Sequence, residues 1–258
     1  MRRRDPCRIY STVRLLSSIF DTMEDVLAVA SDWSFWDRPV PGSVPRDVQL
    51  PKQLKDSLAL VIQGVRRCGK STLLQQFLGR YRLNPRHCAF LNCEDPRLAG
   101  ALTYQTLELL VRAFRERHRR VRRLYFFLDE IQWIDGWQRW LRAQLERPQG
   151  NHFLVTGSNG QLLSGEVGTS LTGRPLSVEL FPFDLFEARR HTPGLDLELY
   201  LEQGGFPEPL SMPDGDRLRR QYFTDIVERD VRERLRARSS QPIRQVVQMV
   251  FESAGSEL

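Results

Sequence analysis

The sequence predicts an α/β fold, in which a parallel sheet carries helices on both faces and a smaller helical region follows. Three short apolar runs of buried-strand type alternate with segments of helical periodicity, and these runs are residues 58–62, 124–128 and 153–155. Such alternation is typical of βαβ units, whose crossover helices cover both faces of a sheet. After Gly194 the strand pattern ends and residues 222–231 have helical periodicity. We therefore expect a helical lid at the C-terminal end.

Length and composition are compatible with this organisation. The chain has 258 residues, of which 41% are apolar, enough for one α/β domain of about 150 to 170 residues and a smaller one. Residues 39–42, Pro-Val-Pro-Gly, indicate a boundary. The expected division is an N-terminal extension and helix over 1–43, a core over 44–190, and a helical lid with the start of an incomplete C-terminal segment over 191–258.

Membrane insertion and disulfide scaffolding are not expected. No apolar stretch approaches the roughly 18 residues that a membrane span requires. The four cysteines have neither zinc-finger spacing nor the pattern of a disulfide framework. A reducing, cytoplasmic location is the natural interpretation.

Residues 64–71, Gly-Val-Arg-Arg-Cys-Gly-Lys-Ser, match the phosphate-binding loop pattern G-x-x-x-x-G-K-[ST] at every fixed position. In such a loop, backbone N–H groups point at phosphate oxygens, and the following helix adds its N-terminal dipole. Lys70 is expected to contact the β- and γ-phosphates, and the Ser71 hydroxyl to bind Mg²⁺. The predicted nucleotide-binding residues are Gly64, Val65, Arg66, Arg67, Cys68, Gly69, Lys70, Ser71 and Thr72.

An acidic pair, Asp129 and Glu130, ends the second apolar run. The carboxyl end of a core strand borders the crevice where open α/β sheets bind ligands. We expect Asp129 to hold Mg²⁺, and Glu130 to orient and deprotonate the attacking water. The alternative is that both acids only cap the following helix, because acids favour a first turn. Together with the loop, the pair favours nucleotide hydrolysis over binding alone.

Two weaker signals follow. Ser158 and Asn159 come after the third apolar run, where a polar side chain reaches the γ-phosphate or the attacking water; an ordinary turn is the alternative. Arg174 follows a segment rich in Gly and Ser. Such an arginine, supplied in cis or by a neighbouring subunit, stabilises charge on the transferring phosphoryl group. The alternative is an ordinary surface arginine.

Together these motifs resemble the AAA+ superfamily, in particular the prokaryotic "predicted ATPase" family related to archaeal ATPases. The resemblance runs from about Met23 to the C-terminus. Its motifs are residues 63–71, 128–132 with Trp137, 156–158, 173–174, Phe181-Pro182-Phe183 with Phe186-Glu187, and 204–208. Two positions depart from the family pattern, Cys68, where a small or aliphatic residue is usual, and Asn159, where serine is frequent.

The resemblance implies a P-loop core that uses ATP and Mg²⁺, then a helical segment and a winged-helix-like segment. In many relatives a further domain follows, so we expect this chain to be C-terminally truncated relative to that architecture. The helix predicted from residue 241 onward would then carry an apolar face too large for an exposed terminal helix. That face consists of Val246, Val247, Met249, Val250 and Phe251.

The charge pattern bears on partners. The net charge of +6 and a pI near 9.4 permit an anionic partner without requiring one. Between residues 112 and 123 a single acid, Glu116, accompanies seven arginines. Such a run could neutralise nucleic-acid phosphates, although a solvated helix face is the favoured alternative. A DNA or protein partner and a homo-oligomer both remain open. The arginines are Arg112, Arg115, Arg117, Arg119, Arg120, Arg122 and Arg123.

Two classes of function therefore remain. In the first, the protein hydrolyses ATP to ADP and phosphate with Mg²⁺ and couples the cycle to conformational change or remodelling of a partner. In the second, it is a nucleotide-gated regulatory switch with slow or incidental hydrolysis. Glu130 favours the first. A P-loop kinase is less favoured, because a kinase does not need the pair of Asp129 and Glu130.

Overall fold

The computed structural model describes residues 23–36, 43–158, 173–235 and 237–253. At its centre is a sheet of five strands, β1 (Ala59–Gln63), β2 (Cys88–Asn92), β3 (Leu124–Asp129), β4 (Asn151–Gly157) and β5 (Pro175–Glu179). The strands lie in the order β2-β3-β4-β1-β5, and every neighbouring pair is parallel. This topology, with its covering helices, confirms the predicted α/β fold class.

Helices cover the sheet and continue beyond it. Those around the sheet are α1 (Met23–Asp32), α2 (Lys70–Arg80), α3 (Tyr104–Arg117) and α4 (Trp137–Glu146). The C-terminal helices are α5 (Leu185–His191), α6 (Leu197–Gln203), α7 (Pro207–Leu210), α8 (Gly215–Asp225), α9 (Arg232–Leu235) and α10 (Gln241–Glu252), with a π-helical segment, Ile226–Val231, between α8 and α9. None of the helices in the described ranges is long and apolar enough to cross a membrane.

The sheet is buried on both faces, which explains why its strands read as continuous apolar runs rather than as alternating patterns. In β1, Ala59 and Val61 join a core that includes residues of α1, α3 and α4. Leu60 and Ile62 point to the opposite face and pack with Phe77 and its neighbours on α2. The protein is therefore a three-layer sandwich of helices, sheet and helices in this region.

Helix α1 belongs to the packing of the central sheet. Val26, Val29 and Ala30 are buried in the same core as β1 and α4. The boundary expected near residue 43 therefore separates α1 from the sheet in sequence but not in packing. The division into three domains stays a prediction, and residues 1–22 of the first lie outside the described ranges.

The strand order brings the predicted functional segments to one edge. In the parallel register, Gln63 at the end of β1 is paired with Gly157 in β4, and Asn92 in β2 is paired with Asp129 in β3. Because the strands are parallel, the segments that follow β1, β3 and β4 all emerge at the carboxyl edge of the sheet. Ligands bind at this edge in open α/β sheets.

The last helix, α10, carries an exposed apolar face. Ile243 is buried and Val247 is half-buried. Four large apolar side chains of α10 are 59 to 68% exposed: Val246, Met249, Val250 and Phe251. The described part of the chain thus leaves this face largely uncovered, as the sequence predicts. Truncation itself stays a prediction.

A buried ion pair joins the segment before β1 to the segment after β5. Arg46 and Glu187 each have side chains that are 4% exposed, and two of the Arg46 nitrogens donate to the two Glu187 oxygens at 2.9 and 3.1 Å. Glu187 also accepts from the backbone N–H groups of Asp47 (2.7 Å) and Asp184 (3.2 Å). Arg46 in addition donates to the carbonyls of Cys68 and Phe181. Both charges are therefore fully engaged in a buried network.

We expect Glu187→Ala to lower the free energy of unfolding by about 3 to 5 kcal/mol, because it leaves the Arg46 guanidinium buried without its carboxylate. The measurement is urea unfolding monitored by circular dichroism. The matched control is Glu146→Ala, which breaks the exposed pair with Arg142 (2.8 Å) and should leave the unfolding midpoint nearly unchanged. Equal midpoints for the two variants would contradict a structural role for the buried pair.

Candidate functional site

A cavity of about 670 Å³ lies at the carboxyl edge of the sheet. The phosphate-binding loop and the acidic pair line one side of it, through residues that include Lys70, Ser71, Asp129 and Glu130. The other side is lined by residues of the segment before β1 and of the region after β5, among them Val44, Phe183, His191 and Ser211. The cavity is thus bounded by the sheet region and by the C-terminal region that follows β5.

Backbone geometry explains the two glycines of the loop. A Cβ atom on Gly64 would lie 2.2 Å from the carbonyl oxygen of Leu180, a distance that real Cβ atoms do not reach. Gly69 has φ of 100°, a conformation that side chains strain, and it precedes α2 directly. Gly64 is required by close packing and Gly69 by its dihedral angle.

Lys70 is buried beside the loop, with 4% of its side chain exposed. Its ammonium nitrogen donates to the carbonyls of Gly64 at 3.1 Å and Val65 at 3.2 Å. It also lies 3.2 Å from Glu130 Oε1. Burial of this cation is therefore offset by one opposite charge and two carbonyl dipoles.

Ser71 and Asp129 place two oxygen ligands side by side. The Ser71 hydroxyl donates to Asp129 Oδ2 at 2.6 Å, and the buried Thr156 hydroxyl donates to Asp129 Oδ1. Burial raises the pKa of Asp129, while these two hydrogen bonds act in the opposite direction. A hydroxyl and a carboxylate are the hard oxygen ligands that Mg²⁺ prefers. The pair therefore fits the metal role predicted for both residues.

Glu130 is held tightly at the start of the turn after β3. Its φ of 53° is unusual for a residue with a side chain. Its Oε2 accepts from Ser158 N at 3.0 Å and from Gln132 Nε2 at 2.6 Å. Burial alone would raise the pKa of Glu130, but the charge of Lys70 and the hydrogen bonds from Gln132 and Ser158 outweigh it, so the pKa is lowered. The carboxylate form required of a general base is thus favoured.

Arg66 and Arg67, the two arginines of the loop, line the cavity and pair with acids outside the loop. Arg66 lies 3.0 Å from Glu94 and 3.4 Å from Asp230. Arg67 lies 3.6 Å from Glu208. The Val65 side chain is exposed and Thr72 lines the cavity. Cys68 is fully buried, and burial raises the pKa of its thiol despite nearby cations.

Arg174 lies at the opposite edge of the sheet. Its carbonyl accepts from Ala59 N at the start of β1, and its side chain donates to the Leu145 carbonyl at 3.0 Å. The loop follows the other end of β1, five residues away and roughly 15 Å distant at about 3.3 Å per residue. Within one chain Arg174 therefore does not reach the phosphate-binding loop, and only its role across subunits stays a prediction. Asn159 lies outside the described residues.

Sequence reasoning missed two residues that support the site. Thr156 accepts from Glu130 N at 3.0 Å while it donates to Asp129, so one hydroxyl orients both acids. Arg46 donates to the Cys68 carbonyl at 2.7 Å and so ties down the loop. Thr156 belongs to the motif of residues 156–158, and its position at the end of a core strand is the signal that could have identified it. Arg46 stands in an irregular segment with no pattern that marks it.

Structural comparison finds solved structures that are similar at low sequence identity, among them the following two. PCH-2 of C. elegans is 13% identical with a TM-score of 0.34, and the match covers 68% of this chain and 48% of that chain. Hsp104 of S. cerevisiae, solved as an ADP complex, is 10% identical with a TM-score of 0.33, covering 73% and 38%. Because these scores are low, the fold assignment above rests on the sheet topology.

Sequence comparison finds two curated relatives, each an uncharacterized protein. One, from Haemophilus influenzae, is 29% identical over 218 residues, which are 79% of this chain and 54% of the relative. The other, from Methanocaldococcus jannaschii, is 29% identical over 223 residues, 78% of this chain and 47% of the relative. The chain thus spans about half the length of the curated relatives that it matches.

The family model AAA_14, described as an AAA domain, matches residues 56–188. The matched region begins just before β1 and ends in α5, so it contains the whole sheet, the phosphate-binding loop and the acidic pair. It covers more than half of the 258 residues. The chain therefore belongs to the AAA_14 family of AAA domains.

Proposed function

We propose that the protein binds ATP at residues 64–72 and hydrolyses it to ADP and phosphate with Mg²⁺, coupling the cycle to conformational change or remodelling of a partner. One observation carries the proposal. Lys70 and Ser71 lie on one segment and Asp129 and Glu130 on another, and the segments meet in two side-chain contacts beside the loop, Ser71 with Asp129 at 2.6 Å and Lys70 with Glu130 at 3.2 Å. This combination of loop, cation, metal ligands and base is nearly the whole requirement for phosphoryl transfer to water.

Binding of the phosphates follows from the loop geometry. Gly64 and Gly69 allow a close approach of the backbone, and the N-terminus of α2 favours negative charge. Lys70 already lies in the loop, held by the carbonyls of Gly64 and Val65. Phosphate oxygens would compete with Glu130 for its ammonium group.

Ser71 and Asp129 would hold Mg²⁺, which when bound supplies positive charge to the transferring phosphoryl group. Ser71 and Asp129 contact each other directly. Thr156 fixes the second oxygen of Asp129, so that carboxylate is oriented before any ligand arrives.

Glu130 is the group that would take the proton of the attacking water. Its Oε2 is fixed by Ser158 N and Gln132, whereas Oε1 faces Lys70. When Lys70 contacts phosphate instead, Oε1 is available to the water. Ser158 therefore acts through its backbone N–H as a positioning residue for Glu130, and we keep for Asn159 the predicted role of a polar side chain that reaches the γ-phosphate or the attacking water.

The loop is also connected to the C-terminal helices, which suggests how the cycle is transmitted. Arg66 pairs with Glu94 after β2 and with Asp230 in the π-helical segment. Arg67 pairs with Glu208 of α7. Such partly exposed pairs are each worth little in stability. They can therefore be broken and remade as the loop closes on a nucleotide.

A second function, the nucleotide-gated switch, is favoured by one observation. Every oxygen of Glu130 has a partner within the protein, in Lys70, Gln132 and Ser158. A base that must first be released activates water slowly. Under either function we propose a cytoplasmic location, because Cys68, Cys88 and Cys93 are free thiols.

Turnover of purified protein separates the roles of Lys70 and Glu130. Lys70→Ala should abolish ATP binding. Glu130→Gln should lower steady-state hydrolysis by roughly 10²-fold or more. ATP affinity should stay equal or rise, because the substitution removes the Glu130 charge that competes with phosphate for Lys70. The measurements are phosphate release and titration with a fluorescent ATP analogue.

The control for this experiment is Glu116→Gln, which changes an exposed glutamate on α3 and should match the wild type in both assays. Unchanged turnover in Glu130→Gln would remove Glu130 from the mechanism. Wild-type protein that binds ATP but releases phosphate only over many minutes per turnover would favour the switch over the ATPase.

Arg174 is the test of a role across subunits. If it reaches a neighbouring site, hydrolysis per chain should rise with protein concentration, and a mixture of Arg174→Ala and Lys70→Ala should regain activity that neither has alone. Analytical ultracentrifugation with ATP should show an oligomer over the same range. Activity that is independent of concentration, with no rescue on mixing, would exclude the role.

A further inference from the structure

A dense group of arginines lies at the amino edge of the sheet, opposite the ATP site. It comes from two segments: the one that joins the end of α2 to β2, and the one that joins the end of α3 to β3. We call it the basic edge and define it by eight residues: Arg80, Arg82, Arg86, Arg117, Arg119, Arg120, Arg122 and Arg123. All eight side chains are exposed.

The two segments meet in space. The rings of His87 and His118 have centroids 6.3 Å apart. A groove between the segments is lined by four of the arginines and two tyrosines and contains no acid; its residues are Tyr81, Arg82, Leu83, Asn84, His87, Arg120, Val121, Arg122, Arg123 and Tyr125. The sequence shows the arginine run after residue 112, but only the fold joins it to Arg80, Arg82 and Arg86.

Acidic side chains do not neutralise the basic edge. Neither residues 80–88 nor residues 117–124 contain Asp or Glu. Among the described residues, no carboxylate forms an ion pair with any of the eight arginines, whereas Arg66, Arg97, Arg142 and Arg190 elsewhere all have such partners. Glu116 on α3 precedes Arg117 in sequence but pairs with none of the eight, and the carboxylate of Asp56 accepts from Gly150 N.

Helix ends account for only part of this charge. Arg80 and Arg117 close α2 and α3, where a cation is favoured by the helix dipole. Arg82, Arg86 and the four arginines within residues 119–123 lie beyond the ends of α2 and α3, and the dipole falls off within the last turn. Their mutual repulsion costs stability in the free protein. A polyanion that binds them offsets this cost.

We propose that the basic edge binds the phosphate backbone of duplex DNA without reading its sequence. Guanidinium groups bind phosphates in a bidentate geometry, and all eight cations here are arginines in a chain with only three lysines. Exposed arginines on two adjacent segments match a partner with regularly repeated phosphates.

The aromatic residues of the groove argue against single-stranded nucleic acid. Binding of single strands depends on exposed rings on which bases stack. Tyr81 is stacked on Phe77 with ring centroids 5.3 Å apart, and Tyr125 on His152 at 4.8 Å. Both rings are thus stacked on one face and only partly exposed. Base stacking is not provided for, and backbone contacts remain.

A membrane surface is disfavoured by the absence of apolar anchors. Basic membrane-binding surfaces present large apolar side chains beside their cations. Within residues 80–88 and 117–125, all described, Leu83, Val121 and Tyr125 are only partly exposed and no large apolar side chain is fully exposed. The edge is therefore purely electrostatic in character.

The test is fluorescence anisotropy of a labelled 30-base-pair duplex of arbitrary sequence, titrated with full-length protein without nucleotide. We expect binding at about 50 mM salt that falls steeply by about 200 mM. The triple variant Arg119→Gln, Arg120→Gln, Arg122→Gln should weaken binding at least about 10-fold and reduce the slope of log K against log salt by about 2.7, for three lost phosphate contacts.

Two further variants make the result specific. The triple Arg139→Gln, Arg217→Gln, Arg220→Gln removes the same charge from exposed positions elsewhere and should keep the wild-type slope. The triple Arg119→Lys, Arg120→Lys, Arg122→Lys keeps the charge and should retain binding within a few-fold. If the first triple variant fails to fold, loss with Arg82→Gln and Arg86→Gln in the other segment gives the same information.

Several outcomes would overturn the proposal. They are no duplex binding at low salt, equal losses in the two glutamine triple variants, tighter binding of a single strand of equal phosphate number, or binding of anionic phospholipid vesicles in preference to the duplex. Lys70→Ala should bind the duplex normally, because the basic edge lies away from the loop. A failure of ATP hydrolysis is therefore distinguishable from a failure of DNA binding.

Discussion

The parallel pairing of β1 with β4, and of β4 with β3, is the constraint on which the site depends. It places Gln63 beside Gly157, so the loop after β1 and the segment after β4 leave the sheet together. In the strand order, β4 lies between β1 and β3. Asp129 therefore contacts Ser71 across the end of β4. Thr156 of β4 forms hydrogen bonds with both Asp129 and the backbone of Glu130. A different strand order would separate these groups.

Burial of charge is the second constraint, and it is met by mutual pairing. Lys70, Asp129, Arg46 and Glu187 are each at most 6% exposed, an arrangement that is costly unless every charge is engaged. Lys70 is satisfied by Glu130, and Asp129 by two hydroxyls. Arg46 is satisfied by Glu187 and by the Cys68 carbonyl. The last contact links the network that stabilises the fold to the loop that would bind phosphate.

The sequence predicts the parts of the site that are local and leaves out those that are not. The loop and the acidic pair each follow a buried strand within a few residues. The loop motif and the apolar runs therefore suffice to predict that Lys70, Ser71, Asp129 and Glu130 lie at the same edge of the sheet. Arg46 is 141 residues from Glu187, and no periodicity joins them.

The position of Arg174 likewise depends on information that is not local in sequence. Its place after a flexible segment is a local feature, but the edge of the sheet on which it lies depends on the direction of β5. Because β5 is parallel to β1, the residue that precedes it falls at the amino edge. The basic edge likewise joins two segments that the sequence shows only separately.

Helix α2 spans the distance between the ATP site and the basic edge. Helix α2 begins at Lys70, in the site, and ends at Arg80, on the basic edge, after 11 residues, or about 16 Å at 1.5 Å per residue. Its inner face is anchored by Leu73, Leu74 and Phe77, all buried. A helix packed in this way moves as a unit, so a displacement of the loop on nucleotide binding would be carried to Arg80 and Arg82. The same rigid element that presents Lys70 to phosphate thus gives the proposed nucleotide cycle a physical route to the proposed DNA surface.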